Sequence, residues 1–199
     1  MAEKDPLREY RSKRDFEKTP ESRGEGREPS KKPLFVIHKH DASSMHYDFR
    51  LEVGGVLKSW AVPKGPSTNP KDKRLAVPTE DHPLEYADFE GVIPEGEYGA
   101  GTVMVWDTGT YSNIHREKDQ PVSMEDSLKH GKVVVNLEGS KIMGGYALIR
   151  TGKGGDSRWL LIKKRDDGAD ARRNPVSTEP KSVLSGRTLS QIERDEKAG

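Results

Sequence analysis

Leu34–Glu52, LFVIHKHDASSMHYDFRLE, is the stretch that decides how this chain folds. Its second half alternates strictly: His46, Asp48, Arg50 and Glu52 stand two apart, with Tyr47, Phe49, Leu51 and Val53 between and after them. Period two is the β-strand period, so the two sets leave the backbone on opposite faces. One face is aromatic and aliphatic, an ordinary core face. The other carries an imidazole, a carboxylate and a guanidinium in a row. Six residues upstream of His46 stands His40, beyond a second apolar run (Phe35, Val36, Ile37), and the loop DASS separates the two. Paired as a hairpin, the runs bring His40 close to His46 and Asp48. Two imidazoles and one carboxylate on a rigid sheet can hold a divalent transition metal and leave coordination positions open. The alternative is a solvated strand face, which a lone His-x-Asp pattern fits well; Arg50 on the same face and a third histidine weigh against it.

Composition agrees with a small β protein. The 199 residues suit one domain with tails, and 31% hydrophobic against 34% charged residues implies a modest core under a large polar surface. Twenty glycines, 13 prolines and short apolar runs favour an all-β fold. No apolar run is long enough to cross a membrane, and the N-terminus is charged rather than signal-like. Without cysteine there are no disulfides, thiolate ligands or Cys nucleophiles, which fits a cytoplasmic home. A net charge of +1 excludes a global basic field, leaving only local clusters such as Lys71/Lys73/Arg74 and Lys163/Lys164/Arg165.

Residues 1–33 mix both charges with Pro, Gly and Ser, a composition that disfavours independent order. The patch LREYRSKRDFEKTPE is the exception: Leu7, Tyr10 and Phe16 could dock it, bringing Arg14, Asp15 or Glu21 to a site. After the hairpin, Gly54-Gly55 signals a turn into VLKSWAV, followed by the basic, Pro-rich loop PKGPSTNPKDKR. Leu75–Val77 reads as a short strand. TEDHPLEYADFEG then reads as a polar loop in which a one-turn helix would place His82 and Tyr86 on one side. GEYGAG lacks the spacing of a dinucleotide or P-loop fingerprint, and its glycines are read as backbone turns before the strand Thr102–Trp106. SMEDSLKHG is the best helical window, with Ser123 as N-cap and Gly131 as stop. Lys132–Leu137, Gly144–Arg150 and Arg158–Lys164 read as three further strands joined by Gly-rich turns, and residues 167–199 as a polar, flexible tail or linker with a short helix. About eight short strands at regular spacing suit a small closed β-barrel or a sandwich, with residues 34–166 as the domain and the site expected at one barrel opening.

Nitrogen and oxygen ligands without sulfur suit manganese or zinc, and manganese or magnesium more as carboxylate and water positions increase. Arg50 beside a cation calls for an anion between them, and phosphate is the natural bridging group. That points to phosphoryl chemistry assisted by a metal, with Lys64 and Arg74 adding charge and His82 as general acid. His38 shares the parity of His40 and is kept as a neighbour, while His115 and His130 read as surface residues. No nucleophile elbow supports a Ser-His-Asp enzyme.

Taken together, HKHDASSMHYDFRLE, WAVPKGPS, KRLAVPTEDHPLEYADFEGVIPEGEYGAGTV and WLLIKKRD closely resemble the 3′-phosphoesterase module of bacterial and archaeal DNA ligase D, from about Tyr10 to Asp166. The N-terminal YRSKRDFEKTPE resembles that module's first segment, which favours the docking arm. The resemblance implies a compact β-barrel and a manganese-dependent enzyme that heals DNA 3′ ends before end joining. A phosphodiesterase step would remove a terminal ribonucleoside; a phosphomonoesterase step would then convert the 3′-phosphate to a hydroxyl. Carried over by motif, His40, His46 and Asp48 would hold the metal, and Arg50, His82 and Tyr86 would contact the scissile phosphate. Lys64 and Arg74 would assist the second step, while Arg14, Asp15, Glu21 and Glu80 would support activity. Its implied partners are DNA or DNA/RNA 3′ ends on primer-templates, alongside a DNA ligase, an end-joining polymerase and Ku. The ending SVLSGRTLSQIE resembles the linker that follows the module in multidomain enzymes. A non-catalytic barrel that binds DNA ends or recruits a ligase is the competing reading, and it has no need of the His40–His46–Asp48 set.

Overall fold

The computed structural model describes residues 5–152 and 157–199. In chain order the elements are α1 (Arg8–Ser12), β1 (Leu34–Asp41), β2 (Met45–Val53), β3 (Val56–Val62), β4 (Arg74–Pro83), a 3₁₀ turn (Leu84–Asp88), β5 (Gly91–Ile93), β6 (Gly101–Asn113), β7 (Arg116–Glu117), β8 (Gln120–Pro121), α2 (Met124–His130), β9 (Lys132–Gly139), β10 (Met143–Thr151), β11 (Arg158–Lys163), α3 (Pro175–Thr178) and α4 (Leu189–Ala198). The first four residues of the expected arm, and residues 153–156 of the expected Gly-rich turn between β10 and β11, lie outside the described residues.

Eight strands close into an antiparallel barrel in the order β1-β2-β3-β4-β11-β10-β9-β6, with β6 pairing back onto β1 and β5 added beside β6. The hairpin register is the one the spacing requires: His40 lies opposite His46 and His38 opposite Asp48. Gly54 and Gly55 turn the chain into β3 at φ +60° and +81°, a pair of positive values that residues with a Cβ rarely adopt. Phe35, Ile37, Phe49, Trp60, Trp106 and Trp159 fill the interior.

The strand face opposite that core is the outer wall of the barrel, and there the polar row of β2 stands. This corrects the expectation of a site at a barrel opening. A second apolar cluster covers the wall, with Tyr10 of α1 and Leu84 and Tyr86 of the 3₁₀ turn packed on Val36, Leu57 and Val105. The roof therefore comes from the N-terminal arm and from the connection between β4 and β5.

Two further departures bear on the site. Leu75–Val77 is part of a ten-residue strand, Arg74–Pro83, so the polar stretch expected as a loop is its second half. A register shift against β3 falls there: Ser59 faces Thr79, but Leu57 faces His82. The extra residue in β4 is a β-bulge. Without it His82, three residues beyond Thr79, would point to the opposite face. The bulge turns it onto the outer wall.

The C-terminal stretch read as a polar, flexible tail also differs. Ile192 of α4 is fully buried in the main cluster, and the indole of Trp106 donates to the Glu179 carbonyl at 2.7 Å. A capping box at Thr188 and Gln191 starts the helix, which explains order in so polar a segment. Ser123 and Gly131 cap α2 as expected. His115, read as a surface residue, is buried with its Nδ1 2.7 Å from the Ser127 hydroxyl. No helix of the described residues is long and apolar enough to cross a membrane.

Candidate active site

Arg14, His40, His46, Asp48, Arg50, Glu80, His82 and Tyr86 line one cavity of about 230 Å³ on the outer wall. At its floor, one ligand atom from each of His40, His46 and Asp48 lies within 4.8 Å of the others. His40 Nδ1 is 3.7 Å from Asp48 Oδ2, and His46 Nε2 is 3.4 Å from Asp48 Oδ1.

The remaining ring nitrogens are engaged elsewhere. His40 Nε2 lies 2.8 Å from the Gly99 carbonyl and His46 Nδ1 3.0 Å from the Ser44 carbonyl. A carbonyl only accepts, so each of these nitrogens carries the proton, and the lone pairs of His40 Nδ1 and His46 Nε2 turn toward Asp48. Outer partners of this kind are how ligating histidines are oriented. With both rings neutral, two imidazole lone pairs and a carboxylate converge on one point, and a proton on His46 Nε2 makes the bond to Asp48 when the ring is charged. The donor set therefore fits a divalent metal.

Arg50 stands next to this cluster with its nitrogens anchored on three sides. Nε donates to His38 Nδ1 at 3.2 Å, Nη1 to the Ser59 hydroxyl at 2.8 Å, and Nη2 lies 3.3 Å from Asp48 Oδ2. The Tyr86 ring faces the guanidinium with its centroid 5.0 Å away. Burial raises the Asp48 carboxyl, but the Arg50 charge and the two histidines outweigh it and hold it well below the usual carboxylate range. His46 is raised, chiefly by its bond to Asp48. Burial pushes the Tyr86 phenol well above its ordinary value, so it stays a neutral donor.

His82 departs from the general acid expected of it. Burial lowers its pKa well below the ordinary value, and the Arg50 and Arg14 charges lower it further. Its Nδ1 lies 2.9 Å from the Glu80 carbonyl and its Nε2 3.4 Å from Arg14 Nη2. Near neutral pH it is a neutral imidazole with an accepting Nε2. His38 is likewise neutral, lowered by burial and by Arg50.

Arg14 ties the arm to this wall. Its Nε contacts Glu21 at 2.9 Å and its Nη1 contacts Glu80 at 3.2 Å, while the guanidinium stacks on Tyr10 at 3.9 Å. Farther along, Glu85 accepts from the backbone of Gly26 and Arg27, and Glu52 from Ser30 and Leu34. The arm is thus pinned along its length.

The remaining sequence-derived residues lie outside the cavity. Glu21 is buried behind Arg14, Asp15 is at the surface with Lys18 at 3.0 Å, and Lys64 is exposed. Arg74 shares the parity of Ala76, an interior residue, and pairs with Asp72 at 3.6 Å near the start of β4. Three residues that reasoning from the sequence left out of the site belong to it: Ser59 and His38, which hold Arg50, and Tyr98 on the cavity lip. Strand parity signals the first two; Tyr98 is found only through the fold.

Comparison with known proteins places this site in a family. The family profile described as the DNA ligase D 3′-phosphoesterase domain matches residues 38–150. The multifunctional non-homologous end joining protein LigD of Pseudomonas aeruginosa is 49% identical over 196 residues, covering 95% of this chain and 22% of that protein. The non-homologous end joining DNA repair protein LigD of Mycobacterium tuberculosis is 52% identical over 168 residues, covering 81% of this chain and 20% of that protein. The chain spans about a fifth of the length of these curated relatives. With a matching profile over most of the barrel and about half of its residues identical to these relatives, the chain belongs to the DNA ligase D 3′-phosphoesterase domain family.

Proposed function

We propose that this protein is a manganese-dependent phosphoesterase that heals DNA 3′ ends for double-strand break repair by end joining. It removes a terminal ribonucleoside in a phosphodiesterase step, then converts the resulting 3′-phosphate to a ligatable 3′-hydroxyl. One observation carries the reading: three lone-pair donors converge beside a guanidinium that is already locked in place. A binder of DNA ends needs the guanidinium but has no use for the donors.

His40, His46 and Asp48 would hold Mn²⁺, which when bound supplies Lewis-acid polarisation of a phosphate oxygen and activation of water. The protein's own groups do the rest. Arg50 keeps N–H donors directed at the cavity and binds two phosphate oxygens without reorganising, because its other donors are occupied by His38, Ser59 and Asp48. His82 Nε2 accepts a hydrogen bond from a water or from P–OH in exchange for its 3.4 Å contact with Arg14 Nη2, and Tyr86 donates from a phenol that burial keeps protonated. Arg14 orients His82 and adds positive charge at the back of the pocket. The arm and the 3₁₀ turn exclude water, which strengthens each of these contacts. A ligase, an end-joining polymerase and Ku are the partners this role implies; the relatives' names support the end-joining role itself.

The test is a labelled primer-template ending in one ribonucleotide, incubated with and without Mn²⁺. Wild type with the metal should shorten the strand by one nucleoside and leave first a 3′-phosphate, then a 3′-hydroxyl. If wild type and His46→Ala leave the same uncleaved strand, the enzyme reading is lost.

A further inference from the structure

The cavity has two unlike walls. The polar wall holds the ligand set and Arg50; the other is formed by Ala42, Ile93, Tyr98 and Gly99. Tyr98 is 46% exposed, and it is the one aromatic among the large apolar side chains exposed on the described residues. A single exposed ring signals little by itself. Its attachment says more. The turn that carries it is closed by backbone bonds from Glu97 to Pro94 and from Ala100 to Glu97, with Gly96 and Gly99 at φ +89° and +76°. The carbonyl of Gly99, the next residue, accepts from His40 Nε2. The backbone that carries the ring is thereby tied to His40. Lys13 Nζ sits 4.9 Å from its centroid, and its hydroxyl is 3.5 Å from Glu80 Oε2.

We propose that Tyr98 is the platform on which the base of the 3′-terminal nucleoside stacks while its phosphate sits on the Arg50 wall. The inference rests on the 3′-end reading above and adds the subsite for the terminal base. A phosphate held between the ligand set and Arg50 leaves its sugar and base to extend along the wall of Ala42, Ile93 and Tyr98, where Lys13 Nζ and the Arg14 guanidinium lie 4.9 and 5.3 Å from the Tyr98 ring. A half-exposed phenol ring there offers a face to any base, so the subsite tolerates all four bases while requiring that a base be present. Holding the Glu80 carboxylate in place is the structural alternative for Tyr98, and it makes no distinction between ends with and without a base.

That distinction is the test. Full-length protein without added metal, so that no strand is cut, is titrated with fluorescent primer-templates whose terminal ribonucleoside either bears a base or is abasic. Wild type should bind the base-bearing end about 5- to 150-fold more tightly, the range that one base–aromatic stack supplies. Tyr98→Ala should bind both ends at the abasic level, whereas Tyr98→Phe and Tyr98→Trp should keep the preference. Equal binding of both ends by wild type, or a preference that survives in Tyr98→Ala, overturns the proposal. Cleavage by wild type with Mn²⁺ is scored separately: no cleavage with an intact base preference sinks the enzyme reading alone, and cleavage without the preference sinks the platform alone.

Discussion

Arg14→Met is the perturbation that most directly tests how the roof of the site is held. In wild type the Arg14 side chain is 4% exposed, and it faces Glu21 at 0% and Glu80 at 3%. Methionine keeps the packing on Tyr10 but leaves two buried carboxylates without their guanidinium. Removing one partner of a buried ion pair costs about 3–5 kcal/mol, because the stranded charge keeps its desolvation penalty. For a protein of this size that is a loss of about 6–20 °C in Tm. Arg14→Met/Glu21→Gln should recover part of it, since one uncompensated charge is then gone. The pH dependence has a definite sign. Burial raises the Glu80 carboxyl, but its backbone hydrogen bond and the Arg14 and Lys13 charges outweigh this and set it below its ordinary 4.5. A lowered folded pKa contributes stability that is present above the unfolded value and lost as pH falls through the folded one. The gap between wild type and Arg14→Met should therefore be full at pH 7 and close below about pH 4.5. Thermal melts across that range measure it, with limited trypsin digestion at Arg8 and Arg11 to detect release of the arm below the global transition. A variant within about 1 kcal/mol of wild type at pH 7 with unchanged digestion, or a double variant no more stable than the single one, would refute the assignment of Arg14 as the arm's anchor.

Two further outcomes are expected. His38→Phe should lower kcat/KM on the ribonucleotide-ended primer by about 10- to 100-fold, because Arg50 loses the acceptor for its Nε, whereas His38→Asn, which restores an acceptor, should stay within about tenfold of wild type; equal losses in both would mean that His38 acts by packing. Arg74→Ala should let the 3′-phosphate intermediate accumulate while ribonucleoside removal continues if Arg74 serves the second step, as the family resemblance implies, and equal loss of both steps on a sequencing gel would count against that assignment.

Much of the polar cluster that forms the candidate site was legible because β-strand parity is a local property. His46, Asp48 and Arg50 share a face in any strand, His40 joins them in the register that pairs it with His46, and the count and spacing of strands narrow the fold to a closed barrel or a sandwich. What parity could not supply is which side of the sheet becomes the inside. The aromatic face of β2 marks the core correctly, but nothing local says that the opposite face is roofed, because the roof comes from segments that look polar. His82 illustrates a second limit. Its placement depends on one extra residue in β4, and a bulge leaves no composition signature in a stretch as polar as Thr79–Asp81. The pKa of His82 is a third: proximity of Arg14 and Arg50 depends on tertiary packing, so its ordinary value was a poor guide to its state. The C-terminal segment reads as a tail because one buried Ile192 and one capping box suffice to dock a chain of linker-like composition.

The roof also explains why the site can sit on an outer wall at all. A row of imidazole, carboxylate and guanidinium on an open sheet face would be solvated, its charges screened and its side chains free to rotate. Covered by Tyr10, Tyr86 and the Arg14 network, the same row lies in a medium where each Coulombic and hydrogen-bonded contact is stronger and where an unpaired group is costly. The arm has few apolar residues to spend on docking, and it docks instead through buried charge placed against partners on β4. Such pairs stabilise less than hydrophobic contacts of equal size, but they tolerate only one geometry, since any other leaves Glu21 and Glu80 unpaired. An arm anchored this way has its register fixed by Arg14, and it delivers that guanidinium to His82 in the same act. Closing the site and completing its electrostatics are therefore one event, which is why loss of Arg14 should affect the stability of the arm and the chemistry of the cavity together.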